Sequence, residues 1–186
     1  MKPGLRCIAA ALVACALLAP VEAARAMADT SSDPVAFVNT LIGTSGNAID
    51  GPSDTFPGAD APFGMIQWSP DTTSRPSGGG YSYRDEQISG FSLTHLSGPG
   101  CDVFGDIAIL PTVGEVADPA NASQPFTHVT EVTSPGYYEI MLGQPAIRTQ
   151  LTVTSRTGLG AFTFPAIQQA NLLINVSSNE VGVADA

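Results

Sequence analysis

Turn residues break this chain at short intervals from Gly43 to Pro165, and that spacing decides what it can fold into. Gly46-Asn47, Asp50-Gly51-Pro52, Phe56-Pro57-Gly58, Ser97-Gly98-Pro99-Gly100, Ser134-Pro135-Gly136, Gly143-Gln144-Pro145 and Arg156-Thr157-Gly158 each interrupt a regular ladder. Glycine admits positive φ, while proline fixes φ and removes an N–H donor. The runs between the breaks are short and rich in apolar and β-branched residues. Pro62 to Ser69 reads as a strand ended by Pro70-Asp71, with Phe63 and Met65 on one face and Ile66 and Trp68 on the other. Gly78-Gly79-Gly80 reads as a flexible link before a short strand, Tyr81-Ser82-Tyr83. Ile88 to Leu96 alternates, which places His95 on the face of Phe91 and Leu93. Asp106 to Thr112 is almost continuously apolar, the pattern of a strand buried on both faces. From Phe126 onward the pattern predicts a meander over Phe126–Thr133, Tyr137–Leu142, Ile147–Ser155, Gly160–Phe164 and Leu172–Ser177. Outside the N-terminal segment no window repeats with a helical period. The expected fold is all-β, an antiparallel β-sandwich or a barrel.

The first 28 residues are expected to lie outside that sandwich. Lys2 and Arg6 precede an apolar run from Ile8 to Leu18, and small residues follow at Ala23, Ala26 and Ala28. This is the pattern of a secretory signal, too short for a transmembrane helix. The division is therefore a signal peptide over residues 1–28 and a single domain over 29–186, in a protein that is secreted or periplasmic. Leu12-Val13-Ala14-Cys15 also resembles a lipobox, which would anchor the chain by a lipid on Cys15. The apolar run continuing through Ala16-Leu17-Leu18 argues against that. Removing Lys2, Arg6, Arg25 and Glu22 with the signal takes the formal net charge from −10 to −12. A surface this acidic repels nucleic-acid phosphates and anionic lipids, so it excludes those partners and leaves neutral or cationic ligands. The same cut removes Cys7 and Cys15, leaving Cys101 without an intrachain disulfide partner.

Reactive side chains concentrate between Gly90 and Asp106, where a Ser97-Gly98-Pro99-Gly100 turn separates two strand-like runs. Loops held by a rigid sheet are where binding groups usually sit. His95 has two readings, a contact to a sugar hydroxyl or carboxylate, and a satisfied histidine packed near Phe91. Cys101 is either a buried inert thiol or a pocket-lining one, and a Cys101–His95 nucleophile pair has little support. Asp102 and Asp106 look like paired carboxylates, with turn capping favoured for Asp106. Trp68, the single tryptophan, is either a stacking platform for a pyranose ring or a core residue. Asp50, Asp54 and Asp60 are spaced for calcium but lack an EF-hand pattern, so they read as turn aspartates. Asn121 and Asn175 open glycosylation sequons, which matter only in a eukaryotic secretory pathway.

Three segments taken together carry a resemblance. They are Phe37-Val38-Asn39-Thr40-Leu41-Ile42-Gly43-Thr44, then Thr55-Phe56-Pro57-Gly58-Ala59 through Ala61-Pro62-Phe63-Gly64-Met65 to Ser69-Pro70-Asp71-Thr72, then Gly90-Phe91-Ser92 through His95-Leu96-Ser97-Gly98-Pro99-Gly100-Cys101 to Gly105-Asp106. In this order they resemble the N-terminal domain of glycoside hydrolase family 92, the calcium-dependent, exo-acting α-mannosidases. One local departure is Asp54, where the family usually carries Asn or His before the Phe-Pro-Gly turn. The resemblance implies a two-domain enzyme in which a β-sandwich packs on a helical domain and the active site lies between them. It implies inverting hydrolysis of α-mannosides, which needs an acid and a base about 6.5–9.5 Å apart. In the family those carboxylates and the calcium ligands come from the C-terminal domain. The expectation is therefore no catalytic residue and no metal ligand in this chain, with Trp68, His95, Gly98, Cys101 and Asp102 as substrate contacts.

The pattern after Ser177 has neither a helix cap nor a clear final strand, and Val181 and Val183 look like the start of another one. Truncation ahead of the helical domain is expected, leaving an incomplete sandwich with open edges. α-Mannoside glycans and the missing helical domain are then the expected partners. Two alternatives stand beside this reading: a stand-alone carbohydrate-binding β-sandwich, and an inactive gene fragment.

Overall fold

The computed structural model describes residues 33–46, 53–98, 101, 103–167, 169–179 and 182–183. The expected signal peptide, the Cys15 anchor, Asp50, Pro99-Gly100 and Asp102 lie outside the described residues. The chain divides into two units, residues 1–37 and 38–186. Of the first, the described part is a 3-10 turn, Pro34–Phe37, entered through Asp33, whose Oδ1 accepts from the Val35 N–H at 3.1 Å.

The second unit is antiparallel β throughout its described residues. Its strands are β1 (Ala59–Asp60), β2 (Gln67–Thr72), β3 (Gln87–Ser92), β4 (Ala108–Val113), β5 (Gln124–Pro125), β6 (Val132–Ser134), β7 (Tyr137–Leu142), β8 (Ile147–Val153), β9 (Gly158–Thr163), β10 (Ala170–Asn175), β11 (Ser178–Asn179) and β12 (Gly182–Val183). One sheet runs β1-β2-β3-β4-β10, with β5 paired to β3, and a second runs β6-β7-β8-β9. β11 and β12 form a separate two-stranded pair.

The meander is the most regular part, because alternation sets it. Tyr138, Ile140 and Leu142 of β7 and Ile147, Thr149 and Leu151 of β8 all point inward and are fully buried. Opposite them, Trp68 and Phe91 face the second sheet, and the Phe91 and Tyr138 rings lie 6.2 Å apart. The two sheets thus share one core, and the fold is an antiparallel β-sandwich, the one of the two all-β architectures allowed by the patterning that the resemblance implies.

Several local expectations are corrected. Pro70 does not end a strand: it lies inside β2, paired with Phe91. The missing N–H is tolerated because β1 pairs with β2 only through Gln67 and Trp68, so Pro70 faces no partner on that side. Tyr81-Ser82-Tyr83 is a turn segment, and β3 ends at Ser92, not Leu96. Ile107 is 42 % exposed at φ 55 and precedes β4, so that strand is shorter and less enclosed than its apolar sequence implies. Within Phe126–Thr133 the backbone makes a 3-10 turn, His128–Thr130, capped by Thr127. The fifth strand of the expected meander leaves it: β10 crosses to the other sheet and pairs with β4 along six residues.

Candidate functional site

Loops gather around a buried contact between an aspartate and a histidine. β2 carries Asp71 inward, and the segment after β3 returns His95 to it. That segment is fixed at both ends, by the Gln67 N–H to the Leu93 carbonyl at 3.0 Å and by the Leu96 N–H to the Gly78 carbonyl at 2.9 Å. His95 and Asp71 are each 2 % exposed. Nε2 of His95 lies 3.2 Å from Asp71 Oδ1, and Nδ1 lies 2.9 Å from the Gln67 carbonyl, so each ring nitrogen faces an acceptor. The second carboxylate oxygen of Asp71 accepts from the Ser92 hydroxyl. Arg75 completes the surround, with Nε 3.8 Å from Asp71 and Nη2 donating to the Gly105 carbonyl at 3.1 Å. Phe56 covers His95 at a ring distance of 5.2 Å.

The glycine triplet before Tyr81 is packed, not flexible. Gly78, Gly79 and Gly80 are all buried. A methyl group on Gly79 would meet the Thr55 carbonyl at 2.9 Å, and one on Gly80, at φ +66, would meet Asp71 Oδ1 at 2.8 Å and His95 at 3.0 Å. Three chain segments approach closely here only because these side chains are missing. The Gly98 N–H donates to the Asp54 carbonyl at 2.7 Å, which joins the 95–98 loop to the 53–58 loop.

The substrate contacts expected from sequence are therefore separated. His95 is behind the wall. Gly98 and Cys101 lie on its exposed rim, so the buried-thiol reading of Cys101 does not hold. Nor does the nucleophile pair, because both nitrogens of His95 already face other partners. Trp68 is 5 % exposed. Its Nε1 donates to the Phe91 carbonyl at 3.0 Å, its ring meets Phe162 edge-on, and Gly158 and Gly160 close against it. This is the core reading of the two open to it. Asp106 exchanges hydrogen bonds with Thr94 at 2.8 and 3.1 Å and accepts from Asn179, a fastening role.

Two features escaped the sequence reading. One is Glu131, whose carboxylate is 1 % exposed and accepts from the Tyr81 hydroxyl at 2.9 Å, the Tyr138 hydroxyl at 2.7 Å and His128 Nδ1 at 2.7 Å. Burial, reinforced by the Glu131 charge, pushes both phenols well above the usual tyrosine range. The other is a cavity of about 310 Å³ between the 53–58 loop, Ser97 and the Pro135-Gly136 turn. Asp60 and Thr40 line it, and Oδ1 of the former and Oγ1 of the latter are buried without a hydrogen-bond partner. Burial raises the Asp60 carboxyl, partly offset by the Ala61 N–H. A wider groove of about 760 Å³ passes Arg75, Asn121 and Ile174, but it is the smaller cavity that borders the His95 loop, through Phe56 and Ser97.

Among the described residues no three His, Cys, Asp or Glu side chains group to hold a metal, and the buried carboxylates of Asp71 and Glu131 are taken by protein donors. No helix among the described residues is long and apolar enough to cross a membrane.

Comparison with known proteins agrees with this architecture. A secreted glycosidase of Arthroderma benhamiae, itself uncharacterised, is 27 % identical over 149 residues, which is 76 % of this chain and 19 % of that protein. The family GH92 α-mannosidase BT3965 of Bacteroides thetaiotaomicron superposes with a TM-score of 0.69 at 34 % identity, over 80 % of this chain and 21 % of that one. The inverting family GH92 mannosidase BT2199 of the same organism gives 0.63 at 29 % identity, over 77 % and 19 %. The chain thus spans about a fifth of the length of these relatives. The profile of the glycosyl hydrolase family 92 N-terminal domain matches residues 37–185, and the chain belongs to that family.

Proposed function

We propose that this chain is the exported N-terminal portion of an α-mannosidase, with residues 1–28 as its signal peptide and 29–186 as its sandwich. It supplies pocket wall and sugar contacts, while the acid, the base and the calcium ligands belong to the remainder of the enzyme. The complete enzyme removes terminal α-mannosyl residues with inversion. The observation that carries this reading is the family match over nearly the whole sandwich, with mannosidases among the structures it resembles. Gly98 and Cys101 lie on the exposed rim of the wall, and they and Asp102 meet the glycan. His95 positions that rim from behind through Asp71 and Gln67. Trp68 acts through the core.

The test is hydrolysis of an aryl α-mannoside by the purified 186-residue chain with and without calcium. No release is expected, because on this reading the acid, the base and the calcium ligands all belong to the remainder of the enzyme. Calcium-dependent mannose release by this chain alone overturns the reading.

A further inference from the structure

β10 is an edge strand without the devices that keep edges apart. It closes the β1-β2-β3-β4-β10 sheet, and among the described residues no strand pairs with its outer side. Exposed edges in monomers are kept short, bulged, interrupted by proline or charged. β1 and β6, at the opposite edges of the two sheets, are two and three residues long. β10 runs six residues in unbroken register with β4 and contains neither proline nor charge. The whole stretch from Thr157 to Asn179 lacks Asp, Glu, Lys and Arg, in a sequence of formal net charge −10. β9, the other long edge, is equally uncharged, but Gly158 and Gly160 leave it few side chains to pack.

The backbone of β10 is phased for a partner. The Gly114 N–H donates to the Gln169 carbonyl at 3.0 Å, so by alternation Asn171, Leu173 and Asn175 turn their backbone groups to β4. Ala170, Leu172 and Ile174 turn theirs outward, and the same three residues are exposed, Leu172 by 47 % and Ile174 by 57 %. In register, Phe91, Ile109 and Ile174 stand abreast on one face. Phe91 is fully buried against Tyr138, Ile109 is half-buried and Ile174 is open, so the cover given by the second sheet runs out at this edge. The Asn171 amide is already engaged within its own chain, donating to the Thr112 hydroxyl and the Gly114 carbonyl.

A strand carrying Asp or Lys would bury an unpaired charge against Leu172 and Ile174, so the edge suits an uncharged, apolar strand. A second copy brings such a strand, with its outward backbone groups at the same three residues. We infer that β10 pairs antiparallel with β10 of a second copy about a twofold axis, joining the two sheets edge to edge. Leu172 and Ile174 of one copy then lie against those of the other, and each exposed apolar row continues into its neighbour. The pairing stands apart from the mannosidase reading, and its failure leaves that reading untouched.

The test is amide hydrogen exchange by NMR on the full 186-residue chain at low and high protein concentration, beside sedimentation velocity. A dimer is expected. Protection of the Leu172 and Ile174 amides is expected to rise about threefold for each tenfold rise in concentration once the dimer predominates, as mass action requires. Asn171 and Leu173, bonded to β4, stay protected throughout. Salt is expected to strengthen the dimer, because it screens two acidic copies from each other and finds no ion pair to break at the seam. Ile174→Lys charges an exposed position, as monomeric edges do, and is expected to abolish both the dimer and the concentration dependence. Ile174→Thr keeps a branched side chain suited to a strand and is expected to weaken the dimer by about tenfold or more. It decides the matter if the lysine variant does not fold. Leu159→Lys, on β9, is expected to leave the dimer intact. Leu172 and Ile174 amides that exchange at one rate at every concentration overturn the pairing: if fast, the edge stays open, and if slow, another part of the same chain covers it. A dimer that survives both substitutions of Ile174, that salt dissolves, or that yields to Leu159→Lys overturns it as well. Assemblies that grow beyond the dimer mean head-to-tail pairing of β10 with another edge, and overturn the twofold contact.

Discussion

Asp71 Oδ1 lies 3.2 Å from His95 Nε2, and this one contact ties the end of β2 to a loop twenty-four residues later. The carboxylate also holds Ser92, so its loss strands two buried donors. Asp71→Ala is expected to destabilise the chain by about 3 kcal/mol or more, the cost of breaking a buried pair from one side. Ser92→Ala removes one hydrogen bond and is expected to cost about 1 kcal/mol. Urea unfolding midpoints check both, and equal effects of the two substitutions count against this account of the network.

Glycines in the same wall separate crowding from backbone strain. Gly79→Ala puts a methyl group 2.9 Å from the Thr55 carbonyl, and Gly80→Ala adds the strain of φ +66 to a clash with Asp71. Each is expected to cost about 1–3 kcal/mol. Gly98→Ala has nothing within 4 Å and bears only the strain of φ +105, so about 1 kcal/mol is expected. Thermal unfolding of the three variants gives the order directly.

The Glu131 cluster sets an alkaline limit. Tyr81 and Tyr138 have phenols raised above the ordinary value, by burial first and then by the Glu131 charge. In the unfolded chain these tyrosines lose their protons near pH 10 while the folded ones keep them, so the folded state binds more protons there. Their contribution is present in full below about pH 10 and falls above it, by about 1.4 kcal/mol per pH unit for each tyrosine. Tyr138→Phe is expected to reduce the slope of melting temperature against pH between 9 and 11. An unchanged slope contradicts the assignment.

Asp60 reverses the usual acid behaviour of a carboxylate. Its raised carboxyl favours the protonated form in the fold, so its contribution is greatest below the ordinary aspartate range and is lost as pH rises through the raised value. Asp60→Asn is thus expected to melt higher than the parent at pH 7 and level with it at pH 3.

How much of this was legible in the sequence depends on how far apart the contacts lie. Alternation is local, so Tyr137–Leu142 matches its expected ends, and β8 and β9 after it differ only by small changes of boundary, whereas Phe126–Thr133 before it keeps only β6 as strand. The crossing of β10 to β4 joins residues about sixty positions apart and leaves no local mark. Pro70 misled because it was judged on one strand alone, whereas its acceptance depends on how short β1 is. The triple glycine carries the same letters whether it is a free hinge or a packed crossing. Glu131 offered a signal that was passed over: an acidic residue within a β-patterned run is either an outward charge or a buried one with partners. Its partner Tyr81 lies fifty residues earlier. The Gly90–Asp106 stretch holds both the buried His95 and the exposed Gly98, and composition does not tell a side chain on the rim from one behind it.

Gly160→Val tests the seam between the two sheets. A side chain there would meet Trp68 Cη2 at 2.5 Å, so the added volume is expected to cost about 1–3 kcal/mol and to spread the sheets.

That seam makes the chain its own optical gauge. Its one indole is enclosed by β-sheet on both sides, with its N–H already engaged, so a blue-shifted emission resistant to aqueous quenchers marks the closed sandwich. Red shift and quenching then report the separation of the two sheets.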